Sequence, residues 1–329
     1  MNTSILLIGI PLIIVITFST TSISNHVVYA HTFSHNENTL FITMVHQIEA
    51  QIQLAENNFP ANAKLSQQHA NIAIGILNQN DPIVNDTAWA KEIGERNPRV
   101  AAELTSALNS LKSATTQSKP ASTTVSAANT SNDIKTQVSR IRDLLGEALS
   151  IRISKEVLNN STTQALVLAR LANLIYFSYG RALGETPAMM STMAGMAMPN
   201  KGGSTNINMN MKGDAGNGGM SSNTTSAVAM TTTGHNTSII KNITEYQTAQ
   251  SLVTKAQEIF NKDLKPVAAT SNKVTAASGN AEIEKDLIQL KTKIDNKAQF
   301  MDIMKLVHIK IHPTLITTYN LPLKASSLN

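Results

Sequence analysis

Residues 161–184 read STTQALVLARLANLIYFSYGRALG, and this stretch decides the fold class. Ser161-Thr162-Thr163-Gln164 has the form of a capping box, in which a serine hydroxyl and a Gln side chain satisfy orphan amides at a helix start reciprocally. From Thr162 to Leu183 the run is apolar almost all round, and it stops at Gly184, the residue best suited to a left-handed C-terminal position. A helix that is apolar on every side must touch several neighbours, so the pattern predicts a central helix with others packed around it.

Working outward from that helix, Ile134, Val138, Ile141, Leu144/Leu145, Ala148 and Ile151 repeat with the helical period and predict a preceding helix that breaks at Asn159-Asn160. On the C-terminal side, helices are expected over Ile239–Thr270, broken or kinked at Pro266, over Ala281–Asn296, and over Ala298–Ile311 until Pro313. Residues 132–185 and 235–325 then form one helical bundle. Between its halves, residues 186–234 are rich in Gly, Ser, Thr, Asn and Met and low in charge, and no apolar period supports an element there. This segment is expected to be a disordered insertion emerging at one end of the bundle.

Residues 31–113 form a first block. Leu40/Phe41, Met44/Val45, Ile48, Ile52 and Ala55 predict a helix stopped by Asn57-Asn58-Phe59-Pro60; Leu65, His69, Ile72, Ala73 and Ile76 predict the buried face of a second. A short amphipathic piece around Ile83–Ile93 leads to Asn97-Pro98, an N-cap residue followed by proline at the first helical position, and Val100, Leu104, Ala107/Leu108 and Leu111 define the next helix. Residues 114–131 are Ser, Thr and Ala with almost no large apolar side chain, and are expected to be a flexible linker. The predicted class is all-α: two antiparallel helical bundles, a linker between them, and a Met-rich insertion in the second.

Residues 1–30 carry an apolar run, Ile5–Phe18, followed by Val28-Tyr29-Ala30. The run falls short of the ~20 residues that span a bilayer, and a small residue stands where a signal peptidase cuts, so an exported chain beginning at His31 is expected. No Lys or Arg precedes Lys64, and the missing positive n-region leaves an uncleaved N-terminal anchor as the alternative, the one case in which a membrane would be a partner. Asn-X-Ser/Thr acceptors at Asn85, Asn129, Asn159, Asn160, Asn223, Asn236 and Asn242 fit a glycosylated cell-surface chain.

Composition excludes several chemistries. With no cysteine there are no disulfides, no thiolate catalysis and no Cys-based metal site. The net charge of +5 comes from scattered basic residues without a stripe, which argues against nucleic acid. Phosphate-binding glycine loops, His-Glu-x-x-His and nucleophile elbows are missing from the sequence, and no Glu-x-x-His pair supports a di-iron bundle; His46 with Glu49 has the order reversed. Glu49, Glu56, Glu92, Glu95 and Glu103 read as solvent-exposed partners of nearby basic residues. No catalytic constellation is visible.

The soft donors are concentrated. Met189, Met190, Met193, Met196, Met198, Met209, Met211, Met220 and Met230 all lie in the insertion, and Met44, Met301 and Met304 are the others beyond the N-terminal segment. Thioethers select Cu(I) and need no deprotonation to bind it. His31, once exposed by cleavage, would offer an α-amino group and an imidazole on one residue, with His35 and His46 nearby in sequence. Met301, Met304, His308 and His312 are spaced 3, 4 and 4, one stripe of a continuous helix, although Phe300, Ile303, Val307 and Ile311 make an overlapping apolar face on which the methionines would be core and the histidines its polar edge.

The run Met189-Met190-Ser191-Thr192-Met193-Ala194-Gly195-Met196-Ala197-Met198-Pro199 resembles the Met-rich segments of periplasmic copper-resistance proteins and multicopper oxidases. His31 is similar to the first residue of the histidine brace of copper monooxygenases and copper carriers, which are β-sandwiches. His31-Thr32-Phe33, Gln68-His69-Ala70, Gly94-Glu95-Arg96-Asn97 and Ile311-His312-Pro313 resemble phrases of the secreted, Asn/Thr-rich helical proteins of ammonia-oxidising archaea. That resemblance implies an extracytoplasmic setting in which copper is handled, and it carries no activity. The expected function is a non-enzymatic exported protein that binds or buffers copper through the insertion. A cell-surface structural or interaction module with envelope proteins as partners is the alternative.

Overall fold

The computed structural model describes residues 37–79, 88–116, 124–190, 238–270 and 274–322, and among them every element is helical and no strand forms. Helix α1 (Glu37–Asn58) buries Phe41, Ile42, Met44, Val45, Ile48, Ile52 and Ala55 together with Thr39 and Gln51. Burial on that many sides requires more than one neighbour. Helix α2 (Ala63–Leu77) starts where the Asn62 side chain accepts the Leu65 amide, 3.0 Å, and turns Leu65, His69, Ala73 and Leu77 inward, one residue per turn. Ile72 and Ile76, expected on that face, are only partly covered. After α3 (Trp89–Arg96), Asn97 caps α4 (Pro98–Thr116) through the Val100 amide, and Val100, Leu104, Ala107, Leu108 and Leu111 are buried as their spacing predicts.

Helix α5 (Thr124–Arg152) begins inside the segment expected to be a linker, and α4 ends inside it; residues 117–123 lie outside the described residues. A linker over the whole of 114–131 is therefore corrected. Once the Ile134–Ala148 stripe has paid the nucleation penalty by packing, each residue added N-terminally gains a backbone hydrogen bond, and Ala, Ser and Thr suffice to extend the helix. At its C-terminal end Ile153, not Ile151, is buried.

After α6 (Lys155–Leu158) comes α7 (Ser161–Leu183), the central helix. The cap is Asn160, whose side chain accepts the Thr163 amide at 3.1 Å, while the Gln164 amide donates to the Leu158 carbonyl. Ser161 is thus the first helical residue instead of the cap. Asn is as effective a cap as Ser, and the first turn closes on the earlier of the two. Gly184 ends the helix at φ 86°, as predicted.

The C-terminal half runs through α8 (Ile243–Ile259), α9 (Lys265–Thr270), α10 (Val274–Asp295), α11 (Phe300–Lys305) and α12 (His312–Tyr319). Two π turns, Phe260–Leu264 and Leu306–Ile311, join α8 to α9 and α11 to α12, and each is followed two residues later by a proline, Pro266 and Pro313. Proline lacks an N–H and its ring collides with the carbonyl four residues back, and a turn widened to i→i+5 bonding relieves both. The Lys265 and His312 amides accordingly bond to Phe260 and Val307 carbonyls. Neither proline stops its helix.

Helix α1 lies against α2, α5, α7 and α8, and α7 against α8, α11 and α12, so the apolar side chains of both blocks merge in one core. Two tyrosines bind the C-terminal half together. Tyr179 of α7 donates to the Ala298 carbonyl, and Tyr246 of α8 to that of Ile294 at 3.0 Å, both serving carbonyls at or beyond the end of α10. The chain leaves α7 through a helical turn at 187–190 and returns at Ser238, whose amide donates to the Lys297 carbonyl at 2.8 Å, while the Lys241 amide donates to Ala182. Residues 190 and 238 therefore sit at one end of the bundle, and 191–237 lie outside the described residues. No described helix is long and apolar enough to cross a membrane; the N-terminal segment, residues 1–36, lies outside the described residues.

Candidate functional site

Among the described residues, the metal-donor side chains gather along the seam between α7 and the α11–α12 helix. Phe300, Met304, His308 and His312 recur every fourth residue, and with Met304 5%, His308 3% and His312 0% exposed they form the face turned to α7. Met301, at 39% exposed, faces away. The four-residue stripe drawn from sequence is corrected on this point: packing against α7 covers Phe300, Met304, His308 and His312, and Met301 is left on the outer side of the helix. The histidines are not its polar edge, since both are buried.

Met190 packs against α7 instead. It is 1% exposed although it belongs to the Met-rich run, whereas its neighbour Met189 is 47% exposed. The seat is made by glycine: a Cβ on Gly180 would stand 2.3 Å from the Met190 Sδ and 2.9 Å from a Phe300 ring atom. A glycine inside a helix, here in the last turn of α7, costs about 1 kcal/mol against alanine, and this close approach is what requires it. The Met190 carbonyl accepts the Tyr176 hydroxyl at 2.8 Å. The Tyr176 ring stacks on Phe300 and meets the edge of His308, both at 4.8 Å between centroids, and His308 meets His312 at 5.1 Å. Burial, and secondarily the Glu185 charge, pushes the Tyr176 hydroxyl well above the ordinary phenol range, so it acts as a neutral donor. His312 donates from Nε2 to the Ala169 carbonyl at 3.1 Å, which leaves the lone pair on Nδ1.

No three His, Asp or Glu side chains converge on a metal position among the described residues. A metal on this seam would depend on thioethers. His31, Met193, Met196, Met198, Met209 and Met211, the other candidate ligands read from sequence, lie outside the described residues, as do Met220 and Met230.

A second polar cluster joins the two blocks. His69 of α2 is fully buried, with Nδ1 2.7 Å from Gln51 Oε1 of α1 and Nε2 2.9 Å from Gln247 Oε1 of α8. Gln247 pairs with the Asn58 amide, and Asn58 also donates to the Leu54 carbonyl at 2.8 Å, which fixes its orientation. Gln51 donates to Thr248, 3.1 Å, whose hydroxyl donates to the Thr244 carbonyl. Burial lowers the His69 pKa below its ordinary value against the opposing pull of Gln247 and Glu245. The neutral ring needs one donor facing it. Rotation of the Gln51 amide supplies that donor, with the Thr248 hydroxyl turning from Thr244 to the Gln51 oxygen.

Two glutamates read from sequence as solvent-exposed are placed otherwise. Glu49 sits between His46, 3.0 Å, and Lys255 of α8, 3.4 Å; burial alone would raise its pKa, but the His46 and Lys255 interactions outweigh this and hold it below the usual range. Glu92 pairs with Arg152, a buried guanidinium lying 4.5 Å over the Phe41 ring. Lys255 and Arg152 were not legible as partners in sequence, because both come from distant helices. Glu103 with Arg99 and Arg140, and Glu95 with Lys91, are exposed pairs as expected. Comparison with protein-family models, with curated proteins and with solved structures finds no match to this chain.

Proposed function

We propose that the protein is an exported, non-enzymatic helical protein that binds or buffers Cu(I) through its Met-rich insertion, with the helical body as the platform from which the insertion is presented. The observation that carries this reading is the concentration of nine methionines in one cysteine-free segment of the chain. Thioethers are soft, neutral ligands that bind Cu(I) at any physiological pH, and a chain without thiolates has no softer donor to offer. Support comes also from the anchoring of both flanks: Tyr176 holds the Met190 carbonyl and Ser238 is held by the Lys297 carbonyl, so the insertion hangs from two fixed points at one end of the bundle.

Deleting residues 191–237 from the full chain should leave helix content unchanged, because the segment has no periodic apolar face, and should remove most Cu(I) uptake measured under reducing conditions against a competing chelator. Unchanged uptake would overturn the assignment to the insertion. No uptake by either form would turn attention to the cell-surface interaction module, sought by pull-down of envelope proteins. Zn(II) should bind the insertion weakly, since a borderline cation gains little from thioethers.

A further inference from the structure

We infer that the cavity enclosed by α1, α3 and α5 is a binding site for one small monovalent anion of halide size, held between the guanidinium groups of Arg152 and Arg96. The site lies apart from the methionines and stands whether or not the chain binds copper.

Three observations carry it. First, a buried charged donor is left over. The Arg152 side chain is 3% exposed and lines the cavity. Its Nη1 contacts Glu92, its Nη2 lies 3.8 Å from Glu37, and its Nε has no hydrogen-bond partner among the described residues. The Phe41 ring covers one face of the guanidinium at 4.5 Å, so a ligand must approach in the guanidinium plane, where the N–H groups point. A buried charged donor without an acceptor costs free energy, and a ligand that accepts from it recovers that cost.

Second, donors and positive charge are in surplus around the cavity. Arg152 Nη1 and Arg96 Nη2 approach the same carboxylate oxygen, Glu92 Oε1, the second at 3.9 Å, which brings the two guanidinium groups to one spot. The cavity wall carries both of them against the single Glu92 carboxylate. Glu37, the other acid near Arg152, is 58% exposed and is not part of that wall, so water screens its charge. Asn97 also lines the cavity, and because its Oδ1 accepts the Val100 amide at 3.2 Å, the group it has to offer is its N–H donor. Third, the space suits one atom. The cavity measures about 10 Å³ and its remaining walls are apolar, with Phe41, Ile93 and Ile151 among them. That is room for about one water-sized occupant. A halide is a single atom that accepts from donors in any direction, and its one charge matches the surplus of one. Beside apolar walls it is held more strongly than it would be in water. Phosphate and sulfate are too large and would bury a second, uncompensated charge.

The test follows thermal unfolding of the full chain in sodium chloride, sodium bromide and sodium gluconate at equal ionic strength, gluconate being too bulky to enter. Chloride and bromide should raise the melting temperature above its gluconate value by about 2–4 °C, and the rise should saturate with concentration. Crystals soaked in bromide should show one anomalous peak beside Arg152. Asn97→Asp keeps the cap of α4 but puts a carboxylate where the amide donor stood, and Arg96→Met keeps an apolar stem without its charge. Both variants should retain the wild-type circular dichroism and bind halide roughly tenfold more weakly or worse. Equal melting temperatures in the three salts would overturn the site, as would a halide increment kept in full by both variants. A bromide-soaked crystal with only water at Arg152 would overturn it too, since solvent alone would then satisfy the Nε donor.

Discussion

Replacing His69 by alanine removes a fully buried side chain at the point where α1, α2 and α8 meet. Gln247 Oε1 keeps the Asn58 amide as a donor, but the Gln51 side chain is left with one unmatched polar group. Rotating the Gln51 amide only exchanges an orphan oxygen for an orphan N–H. An orphaned buried group costs about 1–3 kcal/mol, and a cavity of side-chain size adds about 2 kcal/mol. A loss of about 3–5 kcal/mol is expected, a large share of the roughly 5–15 kcal/mol that holds a domain folded. Urea denaturation should be followed by far-UV circular dichroism and by fluorescence of Trp89, the single tryptophan, which lies in α3. The two transitions should coincide in wild type and variant, because the blocks share a core. Pairing His69→Leu with Gln51→Leu should recover part of the loss, since removing both polar partners leaves no orphan. A loss below about 1 kcal/mol would refute the role of the His69 cluster. So would a Trp89 transition that precedes the helical one, for the blocks would then fold apart.

Three further outcomes are expected. Because burial depresses the His69 pKa, its neutral state stabilises the fold fully above about pH 6.5, the unfolded value, and that contribution is lost as pH falls through the folded value; stability measured from pH 7.5 to 5 should decline, and the decline should flatten in His69→Leu. Gly180→Ala should destabilise by about 1–2 kcal/mol in thermal or chemical denaturation, since overpacking against Met190 and Phe300 outweighs the gain of about 1 kcal/mol in helix propensity, and limited proteolysis should then cut near 187–190 faster. Arg152→Ala should cost about 3–5 kcal/mol by leaving Glu92 without its buried partner and Phe41 without its cation, while Arg152→Met combined with Glu92→Gln should cost less.

Helix periodicity was readable wherever one face alone is buried: the Val100–Leu111 stripe of α4 and the Ile134–Ala148 stripe of α5 are core as their spacing predicts. Local stop and start signals were readable too, in Gly184 and in Asn97-Pro98. Pro313 was over-read, because the π turn before it lets the helix continue, while the break expected at Pro266 is a π turn just before it. Of the candidate residues, His308 and His312 share one buried face with Met304 as their spacing places them, but Met301 faces away and Met190 is buried. A helix with overlapping apolar and donor stripes does not say which of them meets its neighbour, and nothing near Met190 in sequence announces that it fills a glycine notch on α7. The one local hint was Gly180 itself, a glycine inside an otherwise strongly apolar helix.

By itself, the amino-acid sequence determined the all-helical class of the described residues, the absence of thiols, the approximate position of most of the described helices, and the segregation of methionine into one segment. These are consequences of composition and short-range spacing, which act within a few turns of backbone. Tertiary structure decided that α1 packs on α5, α7 and α8 so that the two blocks share one core, that His69 lies between Gln51 and Gln247, that Arg152 is buried over Phe41, and that Met190 is seated on Gly180 of α7. Each of these contacts joins residues far apart in the chain. They form only because several amphipathic helices must bury their faces at once, and the choice of partner then depends on the shape of the whole core.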